Sequence, residues 1–155
     1  MTENRNSDIF SSQINLPDSI TPEQREGIFA ALMQNNPVAI VIIDLNGAVL
    51  ACNPAFELLF GYTFTEMSGK HIDLFITVPE MYHEALEYTE RVTHGEVVRI
   101  TSRRWRRDGT PVDVESQGVP IFVASEQIRV LTLYHDITHL TKAESLQREM
   151  YESFV

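Results

Sequence analysis

Cysteine is almost missing from this chain: Cys52 is the only one among 155 residues. An intramolecular disulfide is therefore impossible, and so is a zinc centre built from several thiolates. A reducing compartment suits such a chain. Long apolar runs are missing too. The longest, Val38 to Ile43, falls far short of the about 20 residues that a membrane-crossing helix needs. Met1 to Ser12 is polar where a signal peptide would be apolar. The expectation is a cytoplasmic segment with no direct membrane insertion. Whether the parent protein is anchored elsewhere stays open. Basic residues are scarce: 12 Lys and Arg against 22 Asp and Glu, a formal net charge of -10. Nucleic acid and anionic membranes both attract basic surfaces, so neither is expected as a partner. The local exception, Arg103-Arg104-Trp105-Arg106-Arg107, is taken as part of a strand whose arginines pair with carboxylates elsewhere. No Gly-x-Ser-x-Gly elbow, Gly-x-Gly-x-x-Gly turn or phosphate-binding loop occurs. Asp113 and Glu115, two apart on a strand, would share a solvent face. The segment is therefore expected to be no enzyme.

What is present is ordinary for one globular domain with tails: 43% apolar and 22% charged residues. Residues 1–20 have few large apolar side chains (Ile9, Phe10, Ile14 and Leu16) and are expected to form a flexible tail. Thr21-Pro22-Glu23-Gln24 carries a cap, a first-turn proline and a capping box. The helix it opens ends before Pro37. Ile28, Phe29, Leu32 and Met33 form two i,i+4 pairs on one face. Val38–Asp44 is a strand, and Asn46-Gly47 predicts a two-residue type I′ turn into a return strand at Ala48–Cys52. Asn53 caps a short helix carrying Phe56, Leu59 and Phe60. Short helical turns are expected between Thr63 and Phe75. A longer helix from Pro79 to near Gly95 buries the stripe Met81, Ala85, Tyr88 and Val92. Three strands follow, over 96–107, 110–123 and 127–137. They turn at Asp108-Gly109 and Ser125-Glu126, with a bend or bulge signalled by Gly118 and Pro120. A last helix begins at Thr138 or Thr141, where Thr141-Lys142-Ala143-Glu144 is a further capping box.

Six short motifs now stand in order: Asp44-Leu45-Asn46-Gly47, Asn53-Pro54-Ala55-Phe56, Gly61-Tyr62-Thr63, Gly69-Lys70, Arg107-Asp108-Gly109 and Asp136-Ile137-Thr138. Over roughly residues 25–140 the chain resembles a bacterial PAS domain, a sensory and dimerisation module of signalling proteins. The resemblance implies an α+β fold with a five-stranded antiparallel sheet of order 2-1-5-4-3. Short helices lie on one face, an N-terminal amphipathic helix precedes the sheet, and an exit helix follows it. The implied division is a tail over 1–20, a helix over 21–36, the PAS domain over 37–138 and a signalling helix over 139–155. In that order strands one and five are the central pair. Neither Ala39-Ile40-Val41-Ile42-Ile43 nor Val130-Leu131-Thr132-Leu133 alternates cleanly, so both faces of these strands need cover. The outer face is assigned to the Ile28/Phe29/Leu32/Met33 helix or to a second subunit. A homodimer with those four residues at its interface is the expectation.

PAS domains often hold a ligand between sheet and helices. Here Phe56, Leu59, Met81, Ala85, Tyr88, Val114, Ser116, Thr132 and Tyr134 would line such a pocket. The same residues suit a filled core, which is the plainer reading. A small-molecule ligand stays open, and the cofactor is unknown. The photoactive flavin group has a cysteine after the short helices. This chain has Gly69-Lys70-His71-Ile72-Asp73 there, and Cys52 lies on strand two as a small core residue. The oxygen-sensing haem group has a histidine on the long helix. His83 lies on that helix, but on a solvated face with Glu87, Glu90 and His94, out of step with the family position. Arg99 is out of step with the family's distal arginine. That face could hold an adventitious transition metal, but nothing marks a specific site. Trp105, the single tryptophan, is expected to stack on Arg103 or Arg107. Haem and flavin are thus unsupported.

Asp136, Ile137 and Thr138 are the expected signal-coupling residues. Asp136 would accept from an arginine or a neighbouring amide, and the Thr138 hydroxyl would cap the next turn. A plain helix cap is the alternative. Ala143, Leu146, Met150 and Ser153, with Leu140 and Phe154, fit the start of a parallel coiled coil. No stop signal precedes Val155, so the expectation is a piece of a longer protein that begins at a natural Met1. A histidine kinase is the expected downstream output domain, and a diguanylate cyclase is the next choice. The expected function is a sensory module that signals through a dimer and an exit helix. The alternatives are a docking module without ligand and a haem or flavin sensor.

Overall fold

The run Ala39-Ile40-Val41-Ile42-Ile43 forms β1 (Ala39–Ile43). In the computed structural model, which describes residues 17–153, β1 lies one in from the edge of a five-stranded antiparallel sheet. With β2 (Val49–Cys52), β3 (Val98–Trp105), β4 (Pro111–Val123) and β5 (Glu126–Asp136), the order is β2-β1-β5-β4-β3. This is the order expected from the sequence. Ala39, Val41 and Ile43 enter the core from the inner face. Ile40, on the other face, is also buried, while Ile42, Leu131 and Leu133 are half-buried. The central strands thus lack alternation because both of their faces are apolar.

The helices are α1 (Pro22–Asn35), α2 (Pro54–Phe60), α3 (Phe64–Met67), α4 (Tyr82–Thr93) and α5 (Thr138–Glu152). Single 3₁₀ turns lie at Ile72–Leu74 and Pro79–Met81. α2 packs on β1, and α4 packs on β3, β4 and β5. Between these layers, Phe56, Phe60, Met67, Ile76 and Val92 meet Val41, Val112, Val114, Val130 and Tyr134. The rings of Phe56, Phe60 and Tyr134 form one aromatic group, with centroids 4.8–5.8 Å apart.

Thr21 and Gln24 form the predicted capping box of α1. Of the four apolar residues on that helix, Met33 is buried, whereas Ile28, Phe29 and Leu32 are 42%, 49% and 62% exposed. The helix lies beside α2, and among the described residues most of its apolar face is left uncovered. The tail residues Ile9, Phe10, Ile14 and Leu16, and Phe154 at the other end, fall outside the described residues.

Two turns differ from expectation. Asn46-Gly47 does not form a type I′ pair, because only Gly47 has a positive φ, of 84°. Gly47 instead closes a turn begun by Asp44, donating its amide to the Asp44 carbonyl at 3.1 Å. The Asp44 carboxylate accepts the Asn46 and Ala48 amides and holds this wider loop. The two-residue turn with two positive φ angles is at Ala124-Ser125 (φ 50° and 68°), one residue before the expected place. Neither residue is suited to that region, where a Cβ costs about 1–2 kcal/mol. Ser125→Gly is expected to raise the unfolding free energy by about 0.5–1 kcal/mol in a urea titration. A loss of stability would show that the Ser125 side chain matters more than the backbone strain.

The β4 bulge falls between Ile121 and Phe122, not at Gly118 or Pro120. Pro120 is tolerated because β4 has no β3 partner beyond Gly118. Gly118 is needed for space: a Cβ there would lie 2.5 Å from Val92 Cγ2 and 2.8 Å from the Tyr88 hydroxyl.

Candidate functional site

Alternation along β3 puts Val98, Ile100, Ser102 and Arg104 on the inner face of the sheet. Among the described residues Arg104 is accordingly the largest fully buried side chain, at 1% exposure. Its Nη1 donates to Glu84 Oε2 at 3.0 Å and to the Arg103 carbonyl at 3.0 Å. Glu84 reaches it from the first turn of α4 with its own side chain 40% exposed. A charge buried this deeply persists only when paired and hydrogen-bonded.

Asp73 lies nearby in the first 3₁₀ turn, buried, and accepts from the Thr89 hydroxyl at 2.8 Å. Burial raises its pKa above the ordinary carboxylate value. The Thr89 bond and the charges of His71 and Arg104 oppose that rise only in part. Because the folded pKa is the higher one, the protonated carboxyl favours folding. This contribution is fully present below the unfolded value of 3.8 and is lost as pH rises through the raised folded pKa. Asp73→Asn keeps an acceptor for Thr89 and removes the buried charge. Its expected effect is a higher Tm at pH 7 and a flatter Tm–pH curve above pH 4. An unchanged slope would show that Asp73 is not the titrating group.

The residues expected to line a pocket mostly converge here. Phe56, Ala85, Tyr88, Val114, Ser116, Thr132 and Tyr134 are all buried between sheet and helices. Met81 is not among them. It lies in the 3₁₀ turn before α4 and lines a surface groove with Val78, Arg103 and Trp105, because the change of helix type breaks the stripe. Leu59 is half-buried against the core. It also faces a groove with Pro37, Val38, Leu58, Arg106 and Asp136. Burial raises the Tyr88 and Tyr134 phenols well above their usual values.

The second feature is the junction of β5 with α5. Asp136 Oδ1 accepts the Thr138 amide at 3.0 Å, and its Oδ2 lies 3.9 Å from Arg106 Nη2. The Ile137 amide donates to the Asp113 carbonyl at 2.8 Å, and the Thr138 hydroxyl accepts the Asp113 amide at 3.1 Å. Thr138 therefore ties the helix start to β4, and Asp136 satisfies the first helical amide. Since α5 begins at Thr138, Thr141 is inside the helix and starts nothing. Leu140, Leu146 and Met150 are 59–61% exposed along α5.

The basic run is paired throughout: Arg103 with Asp113, Arg104 with Glu84, Arg106 with Asp136 and Arg107 with Glu66. Arg107 lies over the Tyr62 ring at 5.6 Å, and Trp105 takes no part in that contact. Asp113 and Glu115 face Arg103 and Arg99 on the outer side of the sheet. Cys52 is half-buried, and burial together with Glu57 pushes its thiol up to about 11, so it is a poor nucleophile. His83, Glu87, Glu90 and His94 are exposed.

A sequence model of the PAS fold matches residues 27–137. The chain belongs to the PAS family. Among solved structures, an RNA-binding light-oxygen-voltage receptor superposes with a TM-score of 0.73 at 21% identity, over 90% of this chain and 40% of that one. A domain of a sensory box sensor histidine kinase/response regulator from Geobacter sulfurreducens gives 0.63 at 22%, over 75% of this chain and 97% of that domain. The PAS domain of a Colwellia psychrerythraea protein gives 0.65 at 24%, over 74% and 98%. At these identities the likeness is one of fold. The PAS sheet and helices enclose the Arg104 cluster, and the Asp136-Ile137-Thr138 junction stands at the end of the matched region. Among the described residues, no helix is long and apolar enough to cross a membrane.

Reading the sequence alone missed Arg104, Asp73, Thr89 and Ser102 as interior residues. The alternation of β3 was the available signal for Arg104, but the surrounding arginines masked it.

Proposed function

We propose that this PAS domain is the non-catalytic sensory module of a signal-transduction protein. It acts as a dimer and passes a change in the sheet through α5 to an output domain, with a histidine kinase as the first choice. The observation that carries this reading is the junction. Asp136 and Thr138 join the first turn of α5 to β4 and, through Arg106, to the β3–β4 turn. A shift of the central strands would therefore move or release the exit helix. The apolar outer face at Ile42, Leu131 and Leu133 and the exposed Ile28, Phe29 and Leu32 support the dimer.

Hydrogen exchange tests the junction. In Asp136→Ala the amides of the first turn of α5 should exchange about five- to tenfold faster, the scale of a lost helix cap, while β4 and β5 keep their protection. In the parent protein the same change should uncouple output from its regulation. Unchanged exchange at α5 together with normal regulation would remove the coupling role. Sedimentation of the chain should give a dimer, and a monomer would remove the explanation of the outer face.

A further inference from the structure

We propose that the outer edge of β3 is a docking site for an extended acidic segment of a partner protein, which joins the PAS sheet as a further antiparallel strand. This goes beyond the sensory reading above and does not depend on it. The sheet ends at β2 on one side and at β3 on the other. At the β2 edge the backbone is already paired. The Val49 amide donates to the Lys70 carbonyl at 2.9 Å, the Gly69 amide to the Val49 carbonyl at 2.9 Å and the Ile72 amide to the Gly47 carbonyl at 3.0 Å. At the β3 edge only the Trp105 amide is paired, to the Ile76 carbonyl at 2.9 Å, while the Arg106 amide bonds to Thr110 across the β3–β4 turn. Hydrogen-bonding direction alternates along an antiparallel strand. Val98, Ile100, Ser102 and Arg104 therefore bond to β4, and Arg99, Thr101 and Arg103 point their backbone groups outwards. Among the described residues no acceptor meets these three amides. Of their carbonyls only that of Arg103 is used, by Arg104 Nη1.

Natural sheets blunt an open edge with a proline, a bulge or a very short strand. β3 runs for eight residues, has no proline or glycine, and keeps an unbroken register with β4. What it carries is charge, and the charge selects the occupant. Arg99 and Arg103 are exposed on the outer face and bracket Thr101. Two copies paired edge to edge about Thr101 would set each Arg99 opposite an Arg103 of the other copy. Like charges directly opposite destabilise a sheet. A strand with carboxylates at those two places forms two favourable cross-strand pairs instead.

Both guanidiniums keep N–H groups for such a partner. Arg99 uses Nε and Nη2 on Glu115, and Arg103 uses Nε on Asp113, whereas an arginine has five N–H donors. Both carboxylates are on β4, so the side away from β4 is the one left to a new acceptor. At the Trp105 end the edge meets a surface groove formed by Val78, Met81 and Trp105, with Glu80 and Arg103 at its rim. Antiparallel pairing is the more stable direction per residue. From its N-terminus the segment would thus read apolar, any, acidic, any, Ser or Thr, any, acidic. The apolar residue enters the Trp105 groove, and the two acids stand opposite Arg103 and Arg99. This is strand addition, in which main-chain bonds supply affinity and alternate side chains supply specificity.

The test is amide NMR of this chain with the probe peptide acetyl-Leu-Thr-Glu-Val-Thr-Thr-Glu-amide. In the free chain the amides of Arg99, Thr101 and Arg103 should exchange fast, while those of Ile100, Ser102 and Arg104 are protected. The peptide at about 1 mM, the scale of weak binding, should shift the first three saturably and slow their exchange. Lysine in place of both glutamates, or N-methylation of the peptide amides that face β3, should weaken binding about tenfold or more. Thr101→Pro removes one outward amide at an edge position where proline is tolerated. It should keep the β3–β4 pairing and bind the peptide about five- to tenfold more weakly. No response at about 1 mM, an equal response to the lysine peptide, or full binding by Thr101→Pro would overturn the proposal. Protection of the three outward amides in the free chain would show the edge already taken and overturn it too; protection that grows with protein concentration would assign the edge to a second copy.

Discussion

Asn53→Ala is expected to lower the unfolding free energy by about 2–4 kcal/mol, the sum of a lost helix cap and an orphaned buried amide. Asn53 is 1% exposed and joins three elements. Its Oδ1 accepts the Ile40 amide at 2.8 Å and the Phe56 amide at 3.0 Å, binding β1 to the first turn of α2. Its Nδ2 donates to the Val38 carbonyl at 2.8 Å, which fixes the entry of β1 after α1. Alanine removes the Ile40 amide's acceptor where water has little access, and leaves the Phe56 amide only the Asn53 backbone carbonyl at 3.1 Å. Aspartate keeps the acceptor but cannot donate to Val38, so it should cost less than alanine. Urea unfolding of the two variants checks this. Equal losses would mean that the acceptor contributes little.

Glu84→Ala should be nearly as damaging, by about 2–4 kcal/mol, and far more so than Arg104→Met. The two deletions remove the same ion pair but leave different groups behind. Without Glu84, a guanidinium at 1% exposure keeps only the Arg103 carbonyl as a direct acceptor. Without Arg104, a carboxylate already 40% exposed is simply hydrated. Breaking a pair so that a buried charge is stranded is the costly direction, whereas an apolar replacement of the buried partner is often nearly neutral. Arg104→Met should therefore cost about 1 kcal/mol or less. If the two variants unfold at the same urea concentration, burial of Arg104 is not what makes the pair matter.

Both side chains were differently legible in the sequence. Asn53 before Pro54 is a plain cap signal, because the requirement is local: an acceptor one residue ahead of a first-turn proline. Its bonds to Val38 and Ile40 were not legible, since they depend on where β1 runs. Arg104 lies within a basic run that looks like surface, and only the strand period hinted that alternate members face opposite sides. Among the candidate pocket residues, those on α4 and β4 follow from periodicity, and Met81 fails because a 3₁₀ turn shifts its angular position. Ser102, Ser116 and Tyr88 reach the interior from two neighbouring strands and α4, which no local pattern joins.

By itself the sequence determined the element order, the hairpins that connect strands three to five, the caps of α1 and α2, and, through its spaced motifs, the PAS sheet. These depend on local backbone preferences and hydrophobic period, which are properties of consecutive residues. Only the tertiary structure decided which turn has two left-handed residues. It alone showed that Thr138 bonds back to β4, and that Arg104 and Asp73 share the interior with the hydroxyls of Ser102 and Ser116. Those facts come from contacts between residues distant in the chain. Strand twist, register and helix seating set such contacts together, and no stretch of sequence encodes them alone.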